Sequence, residues 1–330
     1  MSTILRRIVP FLVGVLSMSA ATAALAQADP SWPSRPIRVV TPFPTGGIND
    51  VIARIVAEHI APRLGQPIVV EPRTGAGGNI GTDAVAKSAP DGYTWLASSF
   101  PVMSLAPALY ASLPFDPVAD FRAVAMTASA PNLLVVSSQL PVSTVAELAA
   151  YARTKPQGLT YASPGNGSSA HLGSELLKRS AGFEAQQIVY RGAPPALVDV
   201  MGGVVDFMLA SVSLAAPQIK AGKLKALAVM DTQRSPLAPD VPTLSEAGYR
   251  EEPIVPWFAI HVPAGTPAAI VQRVNREVER ALKDPDVRER LEKAGAKAAA
   301  PASPEAVDAR VRDEVRKLGQ FAREIHLPKQ

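Results

Sequence analysis

The chain has 330 residues, no cysteine, 47% hydrophobic residues and a formal net charge of +4. That length suffices for one large or two medium domains, and the missing thiols exclude disulfides, iron–sulfur clusters and cysteine nucleophiles, so the core alone must supply stability. The basic balance does not point to nucleic acid, because no basic cluster is interleaved with aromatics. Residues 1–26 read as a signal peptide: Arg6 and Arg7 precede an apolar run, and Ala24-Leu25-Ala26 is a small-residue cleavage site. Their removal takes away two positive charges and no acid, so +4 falls to +2. The run holds Pro10 and Gly14 and meets the cleavage site at once, which disfavours a membrane anchor.

The first apolar run, 37–40, predicts a strand. It stops at Pro42-Phe43-Pro44-Thr45-Gly46-Gly47, after which Asn49 or Asp50 is placed to cap a helix over 51–64. A strand, a glycine bend and a helix start expose backbone N–H groups at the positive end of a helix dipole, a seat for a small anion. The pattern then repeats. Residues 68–71 read as a strand, Gly75-Ala76-Gly77-Gly78 as a bend opening a helix through 87, and 94–98 as a third strand. The bend does not fit a dinucleotide fingerprint, since Ile80 stands where the last glycine belongs. The proline-rich stretch 105–121 reads as connective.

Residues 132–137 read as a strand and 144–152 as a helix. A second copy of the layout then begins with a strand at 159–162. The bend Ser163-Pro164-Gly165-Asn166-Gly167-Ser168-Ser169 opens a helix over 170–180. Strands at 187–190, 205–210 and 224–230 alternate with helices at 196–201 and 214–221, with the bend Arg191-Gly192-Ala193-Pro194-Pro195 between. The strand at 257–263 and the helix from 268 to 282 resemble the strand and helix at 132–152, which suggests two similar lobes exchanging a strand. Helices at 285–294 and 304–325, the latter capped by Ser303 with Glu305 in its first turn, close the chain. Alternating strands and helices predict an α/β fold of mostly parallel sheets flanked by helices, whose ligands sit beyond the carboxyl ends of the strands.

The glycine bends of two lobes would face each other across a cleft lined by helix starts and hydroxyls. That suits a small carboxylate better than a nucleotide, which wants a lysine or a metal on its phosphates. The rival is an exported hydrolase: Ser168, Ser169 and His171 lie together, and Asp199 or Asp206 would complete a triad. There is no G-x-S-x-G elbow, and N-capping by Ser168 or Ser169 explains the same residues. His59, His171, His261 and His326 show no metal-ligand spacing. Arg191 pairs with a ligand carboxylate or forms a surface salt bridge. Trp257 and Phe258 wall the pocket or pack the strand.

Read together, these segments resemble the tripartite tricarboxylate transporter substrate-binding proteins, the Bug or TctC-like family of exported solute receptors. The resemblance rests on Trp32-Pro33-Ser34-Arg35-Pro36-Ile37, Pro42 to Gly47 with Asp50 and Arg54, Gly75 to Gly81, and Pro90-Asp91-Gly92-Tyr93-Thr94. It continues through Gly165 to Leu172 with Glu175, Tyr190 to Ala196 with Asp199, Gly202 to Asp206, Asp240 to Thr243, and Pro263 to Pro267. It implies a two-lobed periplasmic binding protein fold of the second type, with residues 27–130 and 256–330 in lobe 1 and 131–255 in lobe 2. It implies ligand contacts at Thr45, Gly46, Gly47, Asp50 and Ser98 in lobe 1, and at Ser163, Gly167, Ser168, Ser169, His171, Ala193 and Asp206 in lobe 2. It further implies a monomeric periplasmic receptor for a di- or tricarboxylate, an acidic amino acid or an aromatic acid. The receptor would have no cofactor or metal and no part in nucleic-acid binding, would not be embedded in the membrane, and would deliver to a membrane permease or, alternatively, to a sensor kinase.

Overall fold

A computed structural model describes residues 32–250, 253–327 and 329; the expected signal peptide at 1–26 lies outside the described residues. The first unit runs β1 (Ile37–Thr41), α1 (Ile48–Leu64), β2 (Ile68–Pro72), α2 (Asn79–Ala86) and β3 (Thr94–Ser99). Then come a π-helical turn at Pro101–Leu105, the single turn α3 (Ala106–Leu109) and β4 (Phe121–Ser129). The second unit holds β5 (Asn132–Ser137), α4 (Val145–Arg153), β6 (Leu159–Ser163), α5 (Ser169–Ala181), β7 (Ala185–Val189), α6 (Ala193–Met201), β8 (Phe207–Ser211), α7 (Val212–Lys220) and β9 (Leu224–Val229). The chain returns through β10 (Trp257–Pro263), α8 (Ala268–Ala281), α9 (Pro285–Lys293), the two-residue β11 (Lys297–Ala298) and α10 (Pro304–Glu324).

The strands form two sheets, ordered β11-β4-β10-β3-β1-β2 and β7-β6-β8-β5-β9. Within each, the βαβ strands pair in parallel: β2 and β3 on β1, β7 and β8 on β6. The crossing strands add antiparallel partners, β10 between β3 and β4, and β5 between β8 and β9. Both sheets are therefore mixed, with the parallel half of each carrying the glycine bends. The chain passes between sheets twice, after β4 and before β10. The two passages are tied by a 2.9 Å hydrogen bond from Ala130 N–H to Pro256 O.

Each sheet is covered on both faces. On the first, Ile37, Val39 and Trp95 pack under α1, α8 and α9, and Leu96 and Trp257 pack under α2 and α10. The latter cluster also takes Leu172 and Leu176 of α5, so the body of a second-sheet helix is packed in a first-sheet core. Burying each leucine there contributes about 1.5–3 kcal/mol. Tyr161 and Phe207 stack in the second sheet's core beneath α4 and α5.

Three local expectations need correction. Neither Asn49 nor Asp50 caps α1: the cap position is Gly47 with extended backbone and no side-chain cap, and both polar residues sit in the first turn. Residues 193–195 are not a bend, because a proline's fixed φ and missing N–H are tolerated in a first helical turn, and α6 starts at Ala193. Strand β4 was not expected. Its alternation is muted by alanines, and burial on both faces removes the polar half of the pattern. The cap at Ser303 is as expected, accepting from Ala306 N–H, whereas Thr144, read as the first residue of its helix, is the cap of α4 and accepts from Glu147 N–H.

Candidate functional site

The parallel strands of both sheets end at the edges where the chain crosses over, and their following bends form the candidate site. On the first sheet, the bend after β1 is exposed from Pro44 to Gly47. Gly46 has φ +80°, which a side chain would strain, and faces open space. Its N–H donates to Asp50 Oδ2 at 3.0 Å, and the Gly47 N–H donates to Pro44 O at 3.1 Å. The donors left uncommitted are the backbone N–H groups of the first α1 turn, at Ile48, Asn49 and Asp50, together with the Thr45 hydroxyl. The two glycines shape the bend with their own N–H groups engaged, and the next residues leave N–H groups without acceptors.

Asp50 is buried at 1% exposure. Its Oδ1 accepts from Arg54 Nη2 at 2.9 Å and its Oδ2 from Arg54 Nε at 3.0 Å. Burial alone pushes its pKa up; the hydrogen bonds from Arg54 and the Gly46 N–H outweigh that and hold it below the ordinary carboxylate value. The carboxylate is thus a brace inside the bend. Ser98 is also turned inward: its hydroxyl donates to Ala259 O at 2.9 Å and lies 2.6 Å from His261 Nδ1, in the core between β3 and β10. Burial pushes the His261 pKa down to about 3, so that imidazole is neutral.

On the second sheet, Ser168 caps α5, its Oγ accepting from the His171 N–H at 3.1 Å. His171 Nδ1 accepts from the Gly167 N–H at 2.9 Å, which fixes the proton of the neutral ring on Nε2. The ring is buried and stacks on Tyr161 at 6.4 Å. Burial lowers its pKa, with Glu175 opposing and Lys178 adding to the shift. The uncommitted donors here are the N–H groups of Ser169 and Ala170 and the Ser168 and Ser169 hydroxyls. Ser169 Oγ accepts from Asn132 Nδ2 at 3.5 Å. Ser163 is committed, accepting from Gln187 Nε2 at 2.7 Å and donating to Gly165 O at 3.3 Å. Ala193 is the first residue of α6, but Pro194 and Pro195 follow, so that helix offers only one early N–H. Asp206 is not with the others. It precedes β8 at the opposite sheet edge, where both Thr160 groups, N–H at 2.7 Å and hydroxyl at 2.9 Å, hold its Oδ2.

Two features went unforeseen. Leu109 packs over Gly167, and the Tyr110 hydroxyl packs over Gly77, so the stretch read as connective wedges between the bends of both sheets. Asn49 Oδ1 and Ser99 Oγ are buried polar atoms without a partner, near the ends of α1 and β3 that face this edge. Only the burial of these polar groups marks them, and sequence spacing carries no sign of it.

Residues 52–327 match the family described as the tripartite tricarboxylate transporter family receptor. The chain belongs to that family. It is 38% identical to protein BugT of Bordetella pertussis over 316 residues, covering 95% of this chain and 96% of that one. Among solved structures it is similar to Rpa4515 of R. palustris with adipate, at TM-score 0.74 and 34% identity over 88% of this chain and 98% of that one. It is also similar to MatC of Rhodopseudomonas palustris with bound malate, at TM-score 0.71 and 34% identity over 88% of this chain and all of that one. The fold is that of the two-lobed periplasmic binding proteins. No helix among the described residues is long and apolar enough to cross a membrane.

The hydrogen bonds at the α5 start do not pair Ser168 with the His171 ring as nucleophile and base. The Ser168 oxygen is engaged by the backbone N–H of His171, while the ring nitrogen of His171 that would accept a serine proton is taken by Gly167. Glu175 is bound by the Tyr161 hydroxyl and by Lys178, not by the imidazole. A Ser168→Ala variant is expected to lose about 1 kcal/mol of stability through the missing cap, with ester turnover no different from that of the unchanged receptor. Urea unfolding and a generic ester assay check both halves.

Proposed function

We propose that this receptor is exported to the periplasm, closes its two lobes around a small carboxylate, a dicarboxylate foremost, and delivers it to a membrane permease. The lobes divide at 130/131 and 255/256. The observation that carries this reading is the pair of helix starts, α1 and α5, where the N–H groups of Ile48, Asn49 and Asp50 and of Ser169 and Ala170 lack acceptors and the Thr45, Ser168 and Ser169 hydroxyls keep a proton to donate. Hydrogen bonds to an ionised group are the strong ones, so several neutral donors around one desolvated carboxylate suffice without a metal. The names of Rpa4515 and MatC, with adipate and malate, support the same class for this chain. Lobe closure would then offer the permease a surface that the open form lacks.

A thermal-shift panel tests the reading. A ligand bound only by the folded state at one hundred times its Kd stabilises it by about 2.7 kcal/mol, and the melting point is expected to rise by about 5 °C. Succinate, malate, adipate, glutamate, citrate and benzoate form the panel, with glucose and ethyl acetate as controls. A response to the controls and none to any acid would refute it.

A further inference from the structure

The six strands of the two parallel halves lead into the bends of the candidate site, and the segments that follow them differ in charge. After β1, β3, β6 and β8 the bends carry no charged side chain before the next helix or helical turn begins. After β2 and β7 each bend carries one, and each is an arginine: Arg73 and Arg191. These two strands are topological equivalents. Each is the outer strand of its sheet's parallel half, and in each sheet order it lies at the end away from the crossing strands. The two arginines therefore occupy equivalent places, one following the outermost parallel strand of each sheet.

The backbone under each is pinned. The Arg73 N–H donates to Thr41 O at 2.8 Å, at the end of β1, and the Tyr190 N–H beside Arg191 donates to Ser163 O at 2.9 Å, at the end of β6. The Tyr190 hydroxyl is further held by Asp199 Oδ2 at 2.6 Å. The side chains are not held. Arg73 and Arg191 are exposed, and neither has a hydrogen-bond or ion-pair partner among the described residues. Each follows a strand that lies one strand spacing, about 4.8 Å, from the strand leading into a neutral seat, β2 beside β1 and β7 beside β6.

We infer that Arg73 and Arg191 form a second, charged subsite for the far carboxylate of a dicarboxylate whose near carboxylate sits on the neutral donors. This deepens the carboxylate reading and rests on it. The neutral seat satisfies one carboxylate only. The other end of a four- to six-carbon diacid emerges about one strand spacing away, where a guanidinium offers paired donors in a fork. In the open form the two cations repel across the mouth. A bound dianion removes that repulsion, so ligand charge itself favours closure. A monoacid of the same length has nothing to offer the pair.

Calorimetry on the mature chain tests this with the matched pairs succinate–butanoate and adipate–hexanoate, using Arg73→Gln, Arg191→Gln, the double variant and Arg191→Lys. The unchanged receptor is expected to bind the diacid of one pair at least tenfold more tightly than its monoacid. The double variant should erase that preference by weakening the diacid tenfold or more while changing the monoacid less than threefold. Arg191→Lys should retain part of it, and high salt should narrow the gap in the unchanged receptor. Equal losses for both acids, or no loss for either, would overturn the subsite while leaving the carboxylate reading intact. A receptor that binds neither these acids nor any other carboxylate overturns both.

Discussion

An Asp50→Ala variant is expected to lose about 2 kcal/mol of stability and to bind carboxylates at least tenfold more weakly. The carboxylate accepts three hydrogen bonds, one from the Gly46 N–H and two from Arg54, and a bond to a charged group contributes about 1.5–3 kcal/mol. The total stays near the low end because the Arg54 side chain is 40% exposed and remains hydrated when left alone. Binding suffers because the brace fixes the bend that presents the Ile48 and Asn49 N–H groups. The same residue sets a pH dependence. Its folded pKa lies below the unfolded value of 3.8, so its contribution is complete above that value and is lost as pH falls from there through the lower folded pKa. Urea midpoints measured from about pH 6 to about pH 3 should fall less steeply in Asp50→Asn than in the unchanged receptor. Identical midpoints and affinities in Asp50→Ala would show that the brace does not shape the seat.

Gly167→Ala is expected to be the most damaging single methyl in the second bend, costing about 2 kcal/mol and most of the binding. Gly167 has φ +69°, a conformation that costs an alanine about 1 kcal/mol, and its added carbon would meet the Leu109 side chain. Adding Leu109→Ala should recover the steric part and leave the backbone part, a coupling of about 1 kcal/mol in a double-mutant cycle. Strictly additive losses would show that Leu109 does not press on the bend. Binding is affected because the Gly167 N–H orients His171, whose own N–H seats the Ser168 cap.

The units of strand, glycine bend and helix were readable because apolar spacing and glycine placement are local signals. The bends at 44–47 and 163–168 are where spacing puts them, and so are the caps at Ser168 and Ser303. The direction of a polar side chain is not a local signal. Ser98 is taken by Ala259 and His261 from a strand more than 150 positions away. Asp206 is taken by Thr160, 46 positions earlier, and Ser163 by Gln187 in the neighbouring strand. Each hydroxyl or carboxylate went to the competitor that tertiary pairing placed nearest. The Leu109–Tyr110 wedge was hidden for the same reason: a proline-rich stretch shows no period, and its importance lies in which glycines it covers.

The position of β10 also orders the events of folding. It lies between β3 and β4 and pairs with both, yet it is synthesised about 130 residues after β4. Until Trp257–Pro263 arrives, β3 and β4 each present an unpaired strand edge, while β5 through β9 already contain every partner their own sheet needs. The second sheet can therefore close first, and the first must wait with exposed edges of the kind that recruit other chains. A nascent chain halted before residue 257 would hold a finished second sheet and a sticky, incomplete first one, the stage at which a holdase has most to protect.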